Sequence, residues 1–172
     1  FFQVDEQGLQ TFGANLAEGR NFDAAVVRKL PRNSSDYPTE MIITREVAAE
    51  LFPGESAVGK TLYSSLSLPV TVIGVIDHMH GSWPSWDNVG SVALFPIIAD
   101  EQQARYMVRA KPGRRDEAMR MAEEALGRLD NGRVILRVRS LEYVAASSYA
   151  GDRAMAVYLG VVVALLLGIA AL

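Results

Sequence analysis

Gly54-Glu-Ser-Ala-Val-Gly59-Lys60-Thr61 matches, letter for letter, the glycine-rich loop that cradles nucleotide phosphates. That chemistry needs a strand entering the loop and a helix leaving it at once, so that backbone N–H groups and the helix N-terminus face the phosphates. Here the order is inverted. Val47, Ala48, Leu51 and Phe52 recur at helical spacing before the loop, and Pro53-Gly54 stops that helix. Thr61 onward has strand character, is rich in serine and ends at Pro69. The pattern predicts a helix-to-strand turn over Gly54, Gly59, Lys60 and Thr61, with no cofactor bound there.

Asp77-His78-Met79-His80 is the one histidine cluster. In an extended segment His78 and His80 point to the same side and offer two imidazoles to a metal, while Asp77 faces away. Two ligands seldom hold a metal tightly, and the remaining candidate, Asp87, is remote, so the expectation is a solvated loop at a strand end with no metal. The two imidazoles would make that loop pH-sensitive. Trp83 and Trp86 flank Pro84-Ser85 in the same loop and are candidate contacts for a partner, an apolar substrate or lipid; filling a gap over the sheet is the plainer alternative. No pair of carboxylates has acid/base spacing, no nucleophile-elbow pattern occurs, and cysteine is absent, so an enzyme is not expected.

The elements that must carry these residues can be read from pattern and composition. The 172 residues are 49% apolar and 22% charged, as in a packed globular protein. A net charge of −3 gives no electrostatic footing for nucleic acid. Asp5 is placed to cap a short helix running to Gly13, with Leu9 and Phe12 inward. Gly19-Arg20-Asn21-Phe22 reads as a turn and residues 28–39 as an exposed, proline-bounded loop. Met41-Ile42-Ile43 is a short buried strand, and Thr44 is placed to cap the next helix, with Glu46 in its first turn. Thr61–Leu68 reads as a strand broken by Pro69. Val70–Ile76, apolar on both faces, reads as a central strand. Val92–Phe95 and Ala104–Arg109 read as further strands. Residues 114–129 form an amphipathic helix whose stripe is Ala118, Ala122, Ala125 and Leu129, widened by Met119 and Leu126. Asn131-Gly132 turns into a strand at Val134–Val138, and a helix starts near Ser140. Strands mixed with a few helices give an α+β class with short βαβ-like elements in a mixed sheet.

No charge occurs after Arg153. Ala154–Leu172 is apolar throughout and long enough to span a hydrocarbon core, which takes about 20 helical residues. Gly160, Ala164 and Gly168 recur every four residues and would let another helix approach in the membrane. Residues 1–150 are read as an extracytoplasmic domain and 151–172 as the start of a transmembrane helix. The chain is expected to be a fragment of a longer membrane protein.

The ordered set of these segments resembles the periplasmic core domain of MacB-like ABC transporter permeases, which leads into an FtsX-like permease domain. Gly19-Arg20-Asn21-Phe22 resembles the family's "GR-x-F" turn. Ile42–Leu62 resembles its strand, helix and "G-K" turn, which accounts for the phosphate-loop lettering. Val70–Asp77 resembles its "vtViGVv-x-d" strand, and Arg105–Arg109 with Pro112-Gly113 its "vRt-x-g-d-p" segment. The run from Tyr149 resembles the lead-in to the second membrane helix. The family's first membrane helix, the first part of its periplasmic domain and its later helices are not in this sequence, and the Trp83–Trp86 loop matches no family motif.

The resemblance implies an inner-membrane permease that works as a dimer with a cytoplasmic ABC ATPase. The ATPase hydrolyses the ATP and the permease transmits movement to the periplasm, with an adaptor or substrate as a further partner. The helix at 140–150 would be the coupling rod. Two other readings stay open on the residues alone: a membrane-anchored sensor or scaffold domain, and a membrane-bound enzyme using Asp77, His78 and His80.

Overall fold

The computed structural model describes residues 1–31, 34, 36–64, 67–81, 88–99, 105–129 and 134–170. They fall into two units, Phe1–Arg109 and Ala110–Leu172.

The first unit is built on a seven-stranded mixed sheet. Pro69–Ile76 (β6) is an interior strand, flanked by Glu40–Thr44 (β4) in parallel and by Leu16–Gly19 (β2) and Thr61–Tyr63 (β5) antiparallel. Ala93–Ala99 (β7) pairs antiparallel with β4 and parallel with Phe2–Val4 (β1) and Arg28–Leu30 (β3). Between β4 and β6 runs the helix Arg45–Leu51 (α2), so β4, α2 and β6 form a βαβ-like crossover. The helix Gly8–Phe12 (α1) comes after β1.

Both faces of the sheet are apolar, as the valine- and isoleucine-rich β6 requires. Met41, Ile43, Val70, Val72 and Val75 join Ala48 of α2, Ala57, Phe95 and Ile97 in one cluster. Ile42, Ile73 and Ile76 join Leu9 of α1, Val4, Phe22, Val92 and Leu94 in the other. Strict alternation would put Val72 and Val75 on opposite faces. The register shift between Met41↔Val72 and Ile42↔Gly74 absorbs one residue and returns Val75 to the first cluster. Gly19 is needed beside that bulge. It has φ +76°, and a Cβ on it would stand 2.2 Å from the carbonyl oxygen of Ile73.

Several segments differ from the sequence expectation. Arg28–Leu30, inside the expected exposed loop, is a strand: its ladder with Ile97–Ala99 is a backbone contact that polar side chains do not forbid. Of the strand expected over Thr61–Leu68, Thr61–Tyr63 is in the sheet; the Ser64 N–H turns to the Leu68 carbonyl, Ser67 takes φ +59°, and residues 65–66 lie outside the described residues. Pro69 opens β6 rather than separating two strands, at a position where its missing N–H costs little. Thr44 occupies the N-cap position of α2, but its hydroxyl does not cap. It donates to Gly90 O at 2.8 Å and accepts from Val92 N at 3.1 Å, fully buried.

Residues 105–109 and 134–138 enter no strand. Their alternation fits a strand, but an extended segment becomes one only when a ladder partner lies beside it. Ala104 and residues 130–133 lie outside the described residues.

In the second unit Arg115–Gly127 (α3) carries the expected amphipathic pattern, yet none of its residues is fully buried. Arg120 and Arg128 both pair with Glu124, whereas Asp116 pairs with the adjacent Arg115. Leu141–Ser148 (α4) and Ala150–Ala170 (α5) follow α3 in the chain.

Candidate functional site

The segment lettered like a phosphate loop begins after α2 ends at Leu51. Gly54 and Gly59 have φ of +79° and +84° and turn the chain around Ala57, which is buried in the core. The Gly59 N–H donates to Val72 O at 2.8 Å and the Lys60 N–H to Ala57 O at 3.1 Å, so these two amides are spent within the fold. Lys60 Nζ lies 2.7 Å from Glu55 Oε2, and its hydrogen bond holds the Glu55 carboxyl below its ordinary value. Thr61 starts β5, so the loop leads into a strand, with no helix N-terminus aimed at a ligand. The arrangement serves as a helix-to-strand turn.

The histidine cluster sits at the end of β6. β4 and β6 run parallel with Thr44 opposite Ile76. Continuing that register one and two residues past the strands brings Arg45 beside Asp77 and Glu46 beside His78. Arg45 Nη2 is 2.6 Å from Asp77 Oδ1, and Glu46 Oε1 is 2.6 Å from His78 Nδ1. The His80 ring meets the His78 ring edge to face, with centroids 4.5 Å apart. Partial burial raises the Glu46 carboxyl and the His78 hydrogen bond lowers it; the net value lies below the ordinary carboxylate range. Asp77 and Glu46 are thus both committed to cationic or donor partners. Among the described residues no three histidine or carboxylate groups converge as metal ligands.

Beyond His80 the chain makes an excursion whose base is closed by the Gly81 N–H on Val89 O at 2.6 Å. It returns through Gly90, whose carbonyl is held by Thr44. Trp83, Trp86 and Asp87 lie outside the described residues. The rim therefore positions the base of this loop on the βαβ crossover.

In the second unit the Ser140 hydroxyl accepts from Tyr143 N at 3.1 Å and caps α4, in keeping with the helix start expected there. Glu142 in the first turn pairs with Arg115 of α3. α4 and α5 meet at Tyr149, where the helix makes a small step. The Ser147 and Ser148 hydroxyls both donate to Val144 O in the last turn of α4, at 2.8 and 2.9 Å. The Arg153 N–H donates to Tyr149 O at 3.0 Å, so the ladder resumes at once. From Leu141 to Ala170 the 30 residues are long and apolar enough to cross a membrane, and none of the span's most apolar window is buried within the chain. Gly160, Ala164 and Gly168 lie along α5, and a Cβ built on either glycine meets nothing within 4 Å.

One contact has no counterpart in the sequence pattern. Arg109, expected in a strand, sends its guanidinium to the C-terminal end of α1: Nη1 donates to Thr11 O at 3.1 Å. The only signal in the sequence was Gly13 at the end of a short helix.

A family profile described as "MacB-like periplasmic core domain" matches residues 1–126. Two proteins named macrolide export ATP-binding/permease protein MacB match part of the chain. The one from Bartonella henselae is 37% identical over 84 residues, which is 48% of this chain and 12% of the relative. The one from Bartonella quintana is 38% identical over 79 residues, 45% of this chain and 11% of the relative. The matched stretch thus spans about an eighth of each relative's length. Among solved structures, the extracellular domain of the noncanonic ABC-type transporter YknZ from Gram-positive bacteria aligns over 73% of this chain and 63% of its own, with TM-score 0.43 and 18% identity. The periplasmic region of MacB from Actinobacillus actinomycetemcomitans aligns over 73% and 56%, with TM-score 0.38 and 17% identity.

Proposed function

The chain belongs to the MacB-like periplasmic core domain family, and on that premise we propose that it is the extracytoplasmic part of an ABC transporter permease which transmits movement between the membrane and the periplasm. Residues 1–150 are the periplasmic portion and 151–172 the start of a membrane helix in the inner membrane. The engine is a cytoplasmic ABC ATPase, and a second permease protomer completes the assembly, with a periplasmic adaptor or the cargo as a further partner. The chain itself does no bond chemistry: ATP is hydrolysed elsewhere, and this domain carries the displacement.

The observation that carries this reading is the helix from Leu141 to Ala170. No charge follows Arg153, and about 20 helical residues cross a hydrocarbon core, so the apolar stretch from Ala154 onward is the part assigned to lipid. The charged end, with Glu142 and Arg153, is the part outside. The apolar run Leu141–Ala170 is helical on both sides of Tyr149, and the Arg153 N–H on Tyr149 O opens its second stretch, so in this reading a shift of α5 in the bilayer moves α4 with it. A helix transmits such a shift; a flexible linker of the same length would absorb it.

The test is an insertion of several glycines after Ala146 in the full-length permease, together with its ATPase. Macrolides are the first cargo to try, since the curated relatives are named for macrolide export. ATP hydrolysis in isolated membranes should persist while macrolide resistance of the cells is lost. Resistance equal to that of the parent, with normal expression, would overturn the coupling role.

A further inference from the structure

We propose that the rim where β6 ends is a proton-operated clamp: one proton taken up by the facing imidazoles of His78 and His80 tightens the hold of Glu46 on both stems of the excursion between β6 and β7. That it would read the pH outside the membrane rests on the extracytoplasmic placement proposed above; the clamp itself does not.

The geometry comes from the alternation of an extended stem. β6 ends at Ile76 and β7 begins at Ala93. On the outgoing stem Met79 packs against the second apolar cluster, so its neighbours His78 and His80 turn to the opposite side. Their rings meet edge to face, with centroids 4.5 Å apart. Glu46, in the first turn of α2, places Oε1 2.6 Å from His78 Nδ1. The same carboxylate lies against the returning stem: a Cβ built on Gly90 would stand 3.2 Å from Glu46 Oε1 and 3.3 Å from its Cδ. Gly90 is held there by the buried Thr44 hydroxyl, and the Gly81 N–H on Val89 O ties one stem to the other. Glu46 thus touches both stems, and the group it meets on the outgoing one is an imidazole.

Imidazole is the side chain whose charge ordinarily changes between about pH 5 and 8. While His78 is neutral, its N–H gives Glu46 a hydrogen bond; once charged, it adds an ion pair to that bond. Protonating His80 as well would set two cations edge to face, which opposes the hold, so the clamp is tightest with one proton on the pair. Glu46 supplies the countercharge, because its carboxyl lies below the ordinary carboxylate range. The added hold is therefore present in mildly acid solution and is lost as pH rises through the imidazole range. It is lost again in stronger acid, where Glu46 itself takes a proton. Among the described residues the other charges at this rim are Arg45 and Asp77, paired at 2.6 Å, and Glu18, which acts on Arg45. The His78 and Glu46 side chains are 56% and 40% exposed, so solvent screens the pair and the effect is a few-fold change in local opening, not a change of fold.

The experiment is hydrogen exchange, read by mass spectrometry, on the full-length permease in phosphatidylcholine nanodiscs at about pH 5.5 and about pH 7.5. Labelling times are scaled for the intrinsic pH dependence of exchange. The peptides of interest cover residues 77–81 and 88–92, and a peptide within β6 is the reference for the fold. In the wild type, protection of the stem peptides relative to the reference should rise roughly threefold from the higher pH to the lower. Glu46→Gln keeps the shape and removes the countercharge, and His78→Gln removes the titrating ring; each should abolish the rise while leaving the reference peptide unchanged. His80→Gln should keep it, because the ring that Glu46 holds is still present.

Equal protection of the wild-type stems at the two pH values overturns the proposal, and so does a rise that survives in Glu46→Gln or His78→Gln. If Glu46→Gln does not fold, His78→Gln decides. Exchange is read without ATP or cargo, so a failed clamp leaves the transporter reading standing, and a failed glycine-insertion experiment leaves the clamp standing.

Discussion

Glu46 Oε1 and His78 Nδ1 lie 2.6 Å apart, although the residues are 32 positions distant in the chain. The contact joins the first turn of α2 to the base of the loop that leaves β6. It exists because β4 and β6 are parallel neighbours in a register that places Thr44 beside Ile76. Arg45 and Asp77 make the adjacent rung at 2.6 Å.

The pair predicts an acid-sensitive rim. Glu46 is held below its ordinary value, so its charged form is favoured in the folded chain. Its contribution is therefore fully present above the unfolded carboxylate range and lost as pH falls through the depressed folded value. Among the described residues Arg45, Asp77 and His80 also stand at this rim, with Glu18 acting on Arg45, and Arg45 and Asp77 neutralise one another. The gap in urea-unfolding stability between the wild type and Glu46→Gln should narrow as pH falls from about 5 to about 3 and the carboxylate takes up its proton. A gap that stays constant down to pH 3 would assign the difference to packing rather than to charge.

Thr44 offers a sharper test of how the loop is held. Its buried hydroxyl donates to Gly90 O and accepts from Val92 N, joining the end of β4 to the residues that lead into β7. Thr44→Val has nearly the same shape but leaves that N–H and that carbonyl buried without this partner, at a cost of about 1–3 kcal/mol. Thr44→Ser keeps the hydroxyl and should lose less. Denaturant midpoints of the two variants rank them; equal losses would mean that the methyl group, not the hydroxyl, matters here.

The parts of the fold that were legible in the sequence are those whose residues state their own burial. Val70–Ile76 is apolar on both faces and lies in an interior strand, paired on both sides. The spacing of Val47, Ala48 and Phe52 marks α2, and Ser140 marks the start of α4. Leu16–Gly19 and Arg28–Leu30 were not legible, because short edge strands are held by backbone ladders that leave no pattern in the side chains. Residues 105–109 and 134–138 misled in the opposite sense: alternation is a property of the segment, whereas a strand is a property of two segments. Thr44 misled because a residue at an N-cap position can spend its hydroxyl on a nearer partner. At the rim, Asp77 and His78 were visible as chemistry, but Arg45 and Glu46 become their partners only through the parallel register. Arg109 and Gly13 meet because α1 ends where the chain leaves the unit, which no local pattern records.

The last prediction concerns α5 itself. If it lies in lipid, a charge at its middle must be carried into hydrocarbon, whereas the same charge on a helix surrounded by water would be harmless. Val163 is 48% exposed and lies near the centre of the apolar run beyond Arg153. Placing arginine at the centre of a spanning helix costs about 2.5–3.5 kcal/mol on insertion scales. Val163→Arg should therefore lower the inserted fraction of this segment several-fold in a microsome assay with glycosylation acceptors on either side. Val163→Leu should leave it unchanged, and so should Glu142→Arg, because Glu142 stands in the charged end outside the lipid. Equal insertion of Val163→Arg and the parent would mean that the helix does not span a bilayer, and the mechanical role built on it would fall with that result.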